Sequence, residues 1–305
     1  MFKRIIALAL SVIVAVGVLV GVGDIGVQTA YANMSPFSIP VPTASGTNVS
    51  RNAKAEIDYS NARDGYVMVR FMDRSATAVR IIITGPGDTR YQYNLNTNGT
   101  WEVFPLTAGN GRYSIGVFEQ ITGNRFATAN SVDINVTLTN EFAPFLRPNQ
   151  FVNFNQNSRV VGRANELVSG SGSVIESVSR VYNFVIENIE YDFELARTVQ
   201  SGYVPNVDAV LARGRGICFD YAAVMTAMLR SQGIPTKLII GYAGDIFHAW
   251  ISVYSAETGW INNAIWFDGT TWRIMDPTFS ATSNQSAEAR AFIGDGQNHR
   301  PISFH

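Results

Sequence analysis

One cysteine and three histidines are all the thiol and imidazole in this 305-residue chain. That scarcity excludes an internal disulfide framework and leaves no ligand cluster for a zinc site. Charge is scarce too: charged residues are 15% of the chain and the formal net charge is −1. Neither a basic nucleic-acid surface nor a membrane-surface patch is indicated. No calcium-loop spacing occurs, and Gly85-Pro86-Gly87 and Gly294-Asp295-Gly296 read as turns rather than phosphate cradles. No metal and no cofactor are expected.

Long apolar runs are absent except for one, from Ile5 to Val22. Lys3 and Arg4 precede it and Ala30-Tyr31-Ala32 follows as a small-x-small site, so residues 1–32 read as a cleaved signal peptide. An uncleaved anchor is the alternative, because the run is long enough to span a bilayer. The expected protein is extracytoplasmic, secreted or associated with the cell surface, with no integral span after cleavage. Apolar residues at 46% and aromatics at 11% supply ample core for one large or two ordinary domains.

Residues 33–53 read as an extended lead-in rich in Pro, Ser, Thr and Asn. Over residues 54–138 the pattern becomes short alternating strands with turn punctuation, at Ala55–Tyr59, Gly65–Met72, Ala78–Thr84, Tyr91–Leu95, Trp101–Leu106, Tyr113–Glu119 and Phe126–Leu138. About seven such strands predict an immunoglobulin-like β-sandwich. Residues 139–157 read as a linker, yet Phe142, Phe145, Phe151 and Phe154 are too apolar for a free tether and predict packing.

From residue 158 to 305 the expectation is an α+β domain. Helices are predicted at Ser158–Val168, Ser173–Asn188, Asn206–Arg213 and Cys218–Gln232, the last apolar nearly all round and therefore central. Gly233 and Pro235 end it. Strands are predicted at Lys237–Tyr242, His248–Tyr254, Ala264–Phe267 and Trp272–Met275, with Asp268-Gly269 as a hairpin turn. The tail from Ala281 to His305 gives no pattern; it reads either as a small terminal element or as a lid.

The cysteine sits where this central helix should begin, after Gly214-Arg215-Gly216-Ile217. A thiol there faces unpaired backbone N–H groups and the positive end of the helix dipole, which favour the anionic sulfur. Downstream come Phe247-His248-Ala249-Trp250 and Met275-Asp276-Pro277-Thr278, each at a predicted strand edge. Thiol, imidazole and carboxylate in that order make a candidate triad of Cys218, His248 and Asp276. Each has a plainer use: a lone cysteine as a small buried hydrophobe, a histidine as structure, an aspartate opening a turn. Asp220 reads as a favourable charge in the first helical turn.

Over about residues 158–280 the sequence resembles the transglutaminase-like superfamily, whose fold is papain-like. The resemblance rests on Gly216-Ile217-Cys218-Phe219-Asp220-Tyr221-Ala222, Leu229-Arg230-Ser231-Gln232-Gly233-Ile234-Pro235, Gly241-Tyr242, His248-Ala249-Trp250 and Trp272-Arg273-Ile274-Met275-Asp276-Pro277-Thr278. Ile189-Glu190-Tyr191-Asp192 is similar to the family's bacterial members. The resemblance implies Cys218 as nucleophile on an amide or ester carbonyl, His248 as its ion-pair partner and proton donor, and Asp276 as the group fixing the tautomer. It makes the Cys218 N–H an oxyanion donor, with Tyr191 a candidate second donor. Trp250, read from its place beside this motif, is a candidate substrate contact, with aromatic core packing as the alternative. The expected function is an exported cysteine-dependent acyl-transfer enzyme acting on peptide or isopeptide bonds of a peptide, protein or cell-envelope substrate, by hydrolysis or by cross-linking. The alternative is a non-catalytic envelope scaffold retaining the fold.

Overall fold

The computed structural model describes residues 37–261, apart from the side chain of residue 246, residues 299–305, and the backbone strands at 266–267 and 272–273. The signal segment 1–32, Asp276 and the Asp268-Gly269 turn lie outside the described residues. Among those described, no helix is long and apolar enough to cross a membrane.

The N-terminal part is two antiparallel four-stranded sheets. One holds β1 (Val49–Arg51), β2 (Ala55–Asp58), β3 (Tyr66–Phe71) and β6 (Glu102–Pro105) in that order. The other has the order β5 (Arg90–Leu95), β4 (Val79–Thr84), β7 (Gly111–Thr122) and β8 (Arg125–Val136). Strands β4 and β5 alternate one residue buried, one not, so each offers one face to the core, as period-two patterning requires. Their buried side chains join Ile57, Val67, Val69, Phe71 and Phe104 of the first sheet in one cluster. Strand β1 adds an element to the seven read from sequence; its polar Val-Ser-Arg run carries no alternation to reveal it.

The second core belongs to helices and a mixed set of strands. Helix α1 (Arg159–Val168) and α2 (Val174–Asn188) begin where Ser158 and Ser173 predicted, and the Ser173 hydroxyl accepts the Glu176 N–H at 3.1 Å. A short strand β9 (Glu190–Tyr191) and α3 (Phe193–Thr198) follow, both unforeseen. Helix α4 (Val207–Arg213) is capped by Asn206, whose side chain accepts the Ala209 N–H at 3.0 Å. Strand β10 (Arg215–Gly216) then runs parallel to β9 and leads into α5 (Cys218–Arg230).

Every residue of α5 from Asp220 to Arg230 is buried. Gly233, at φ +74°, turns the chain out of this helix, and the Phe37 ring occupies the space where a side chain at that position would stand. Strands β11 (Thr236–Ala243), β12 (Ile246–Ser255) and β13 (Gly259–Ile261) come next, with β14 (Trp266–Phe267) and β15 (Trp272–Arg273) pairing separately. Strand β16 (His299–Phe304) completes the main sheet, ordered β13-β12-β11-β16. The described end of the unpatterned tail is therefore an edge strand. It was illegible because its partner β11 lies about sixty residues earlier, and β16 itself carries only one strongly apolar pair of positions.

The two cores meet at residues 139–157. Phe142 and Phe145 stack against Tyr254 and Trp260. Phe151 packs on Tyr93 of the sheet pair and on Phe219 of α5, at 5.2 Å in each case. Beside it the buried His305 ring links Tyr93 Oη at 3.0 Å and Ser303 Oγ at 2.8 Å. Burial, and then the nearby Arg230 guanidinium, push the His305 imidazole down to about 3.

A folded-state value below the ordinary 6.5 means that the unfolded chain takes up this proton first as pH falls. Stability should decline between about pH 6.5 and about pH 3, by up to ~1.4 kcal/mol per pH unit from this group. His305→Gln keeps hydrogen-bonding capacity without the titration. Urea midpoints measured across that range should fall less steeply in the variant; parallel slopes would refute the assignment.

Candidate active site

Helix α5 places Cys218 at its first turn, where the backbone N–H has no intrahelical acceptor. Three local features fix that start. Ile217 is extended (φ −97°, ψ 176°), its N–H donates to Asp220 Oδ2 at 2.9 Å, and the β9–β10 pairing anchors the preceding residues. Gly216 is required by contact: a Cβ there would stand 2.6 Å from the Asp220 Cβ. The spacing Gly-Ile-Cys-Phe-Asp thus has a steric and hydrogen-bonding reason independent of any chemistry.

Asp220 does more than favour the helix dipole. It is fully buried and also accepts the Tyr203 hydroxyl at 2.6 Å, with Arg213 Nη2 at 3.3 Å. Burial raises its pKa; the Tyr203 and Ile217 donors and the Arg213 charge oppose that rise. Tyr203 is in turn pushed up to about 12, by burial first and then by Asp220, so it remains a phenol and a donor at neutral pH. This network ties the segment between α3 and α4 to the helix start. Sequence reasoning missed it because Tyr203 lies in a stretch without periodicity.

His248 lies on β12 opposite Gly241 of β11, and α5 packs across both strands. The side chain is buried and stacks on Trp250, ring centroids 6.3 Å apart at 20°. Gly241 is tied to the same feature: a Cβ there would lie 2.7 Å from Trp250 Cη2 and 2.3 Å from the Arg300 carbonyl oxygen. His299 on β16 approaches His248 and Trp250 at 6.4 and 4.9 Å between ring centroids.

Cys218 and His248 line one cavity of about 750 Å³. Tyr191 lines it too, held beside the residues before Cys218 by the Gly216–Tyr191 pairing and stacked on Phe193 at 4.9 Å. Neighbouring Asp192 caps α3 through the Leu195 N–H at 3.0 Å. Trp250 is 1% exposed, is not among the residues lining the cavity, and stacks on the His248 ring, which accords with the core-packing reading. Asp276 lies outside the described residues. Missed by the sequence reading are Gln92, Asn94 and Gln150, which bring the N-terminal sheet and the intervening segment into the cavity wall. No local signal marks them, since they approach Cys218 only through the tertiary fold. Among the described residues no group of His, Cys, Asp and Glu side chains could hold a metal.

Residues 162–277 match the family model of the transglutaminase-like superfamily, so the resemblance drawn from the motifs holds over that segment. Over 98 residues, 27% of this chain, the sequence is 26% identical to a protein-glutamine gamma-glutamyltransferase of Pseudomonas aeruginosa, spanning 13% of that protein's length. Among solved structures, one described as a cysteine protease from Cytophaga hutchinsonii aligns at TM-score 0.40 and 15% identity, covering 85% of this chain and 83% of that one. Red sea bream transglutaminase aligns at TM-score 0.32 and 12% identity, over 77% of this chain and 56% of its own.

Asp220→Ala would leave the Ile217 N–H and the Tyr203 hydroxyl without their acceptor in the interior. Unfolding free energy should drop by about 2–4 kcal/mol, and Asp220→Asn, which keeps one acceptor, by less. Denaturant titration of the two variants separates these; equal losses would show that the charge alone, not the capping, is what matters.

Proposed function

We propose, from the transglutaminase-like core carried by residues 162–277, that this chain is an extracytoplasmic cysteine-dependent acyl-transfer enzyme acting on polypeptide amide bonds. The observation that carries the reading is the shared cavity: the thiol at the start of a buried helix and the imidazole of the adjacent strand open onto the same 750 Å³ space. An imidazole beside a thiol is the pairing that covalent acyl transfer requires.

In the proposed reaction His248 holds the proton of Cys218, and the sulfur attacks the carbonyl carbon, forming a C–S bond. The Cys218 N–H stabilises the oxyanion, with Tyr191 as a second donor. His248 passes its proton to the leaving nitrogen, the C–N bond breaks, and a thioester remains with a free amine released. Attack on the thioester by water gives a carboxylic acid, and attack by a primary amine gives a new amide; either returns a proton through His248 to the sulfur. Asp276 is the proposed partner of the second ring nitrogen. Hydrolysis is the default outcome because water is always available as acceptor.

The N-terminal sheets fit an immunoglobulin-like sandwich. Setting aside the short edge strand β1, the order β2-β3-β6 in one sheet and β5-β4-β7-β8 in the other follows the strand order of such sandwiches. Tyr113, early in β7, donates its hydroxyl to the Gly109 carbonyl at 2.8 Å, the corner contact expected at that position of such folds. The signal-like residues 1–32 support export.

Iodoacetamide should alkylate Cys218, and His248→Ala should slow that reaction on the order of 10²-fold or more, the range for loss of a positioned base. Cys218→Ala should abolish turnover of peptide substrates while leaving the fold intact by circular dichroism. Alkylation unaffected by His248→Ala, with no peptide turnover, would instead favour a binding protein on a retained fold.

A further inference from the structure

The cavity wall opposite the helix start comes from the outer strand of the N-terminal sheet pair. Gln92, Tyr93 and Asn94 of β5 line the same space as Cys218 and His248. Among the described residues, strand β5 ends its sheet, bonded on one side only, to β4. In an antiparallel strand, residues two apart turn their backbone groups to the same side. Gln150 Nε2 donates to the Asn94 carbonyl at 2.6 Å, which marks Asn94 as outward-turned; Gln92, two residues before, turns its N–H and C=O outward with it. Sheet edges are ordinarily guarded by lysine, proline or a bulge. The segment Gln92-Tyr93-Asn94 has none of these; Gln150 and Gly202 cover it at Asn94, Gln92 is exposed, and the segment forms part of a cavity wall.

The lining is also uncharged. Among the described residues no Asp, Glu, Lys or Arg contributes to it; its polar groups include the side-chain amides of Gln92, Asn94, Gln150 and Gln200. Among the described residues nothing there would hold a terminal carboxylate, a terminal ammonium or a charged side chain. Phe247 (63% exposed) and Val204 (37%) add accessible apolar surface to the same wall. The wall is closed against β5 at Gly202, where φ is +91° and a Cβ would stand 2.3 Å from Asn94 Nδ2.

We infer that β5 is the substrate-docking edge of this enzyme: an internal, uncharged, extended segment of the acyl-donor polypeptide pairs with it as an added strand. Main-chain hydrogen bonds to Gln92 supply register, and the apolar side chains of the segment meet Phe247 and Val204. This deepens the proposed acyl-transfer function and rests on it. Specificity then comes partly from the N-terminal sheets, and the donor is an interior stretch of chain rather than a terminus.

The test uses peptide amides carrying an N-terminal chloroacetyl group, which alkylate the sulfur with loss of chloride, and 2-chloroacetamide as a probe too small to reach β5. An uncharged three-residue probe should label Cys218 at least about tenfold faster than the same peptide with a central glutamate or lysine. Methylating alternate backbone nitrogens of the neutral probe should remove most of that advantage. Gln92→Glu, at an exposed position of the wall, should slow the glutamate probe and speed the lysine probe, each rate taken relative to 2-chloroacetamide on the same variant. If 2-chloroacetamide labels Cys218 in a His248-dependent manner but peptide charge, backbone methylation and Gln92→Glu make no difference, the docking edge is wrong and the nucleophile stands. If 2-chloroacetamide fails to label Cys218, both fall.

Discussion

Burial of helix α5 from Asp220 to Arg230 is the constraint on which the rest of the molecule depends. A helix with no solvent face must satisfy its ends inside the protein, because its first N–H and last C=O groups have no internal partners. Here each end holds a buried charge of the sign that the helix dipole favours, Asp220 near the start and Arg230 at the finish. Asp220 gathers the Ile217 N–H, Tyr203 and Arg213. Arg230 donates to the carbonyls of Thr236, Arg147 and His305, fastening the next strand, the connecting segment and the tail to one guanidinium. Removing either charge would orphan groups belonging to other elements, so the cost would not stay local. The candidate nucleophile is the residue at the one end of this helix that opens to a cavity.

That arrangement explains why some of the site was legible in the sequence and some was not. The start of α5 is local information: Gly216 makes room for Asp220, and Asp220 receives the Ile217 N–H, all within five residues. The helix caps at Ser173 and Asn206 are local in the same sense. Strand β16, the β9–β10 pair and the Tyr203–Asp220 bond join residues from 17 to more than 60 positions apart, and their short polar segments carry no period that could announce them. The two readings of Trp250 could not be separated from sequence for a related reason. An aromatic beside a histidine in sequence points to the opposite face of a strand from its neighbour but the same face as the residue two away, and so it stacks on His248 instead of lining the cavity.

The two cores are less separate than the division into domains suggests. Phe151 packs against both of them, touching Tyr93 on one side and Phe219 on the other. Phe219 follows Cys218 directly and also meets the Tyr203 ring at 6.5 Å. A chain of rings therefore runs from the N-terminal sheets to the residue beside the thiol. Ring pairs of this kind contribute about 0.5–1.5 kcal/mol each beyond the area they bury, enough together to hold a sheet edge in fixed relation to a helix end. A wall held that firmly can select among substrates; one on a free tether could not.

The neutral lining bears on chemistry as well as on selection. With no fixed charge among the described lining residues, a sulfur anion beside a protonated imidazole would be the strongest source of field in the cavity. Such a pair is worth most where competing charges and bulk water are absent, and the oxyanion formed on attack is stabilised by backbone dipoles that need no reorganisation. The same neutrality would govern the fate of the proposed thioester. A protonated amine meets no carboxylate to hold it there, and it is not a nucleophile until it sheds its proton. Water needs neither help. On the described walls alone the balance therefore tilts toward hydrolysis, and an amine acceptor would have to be brought in by contacts outside them.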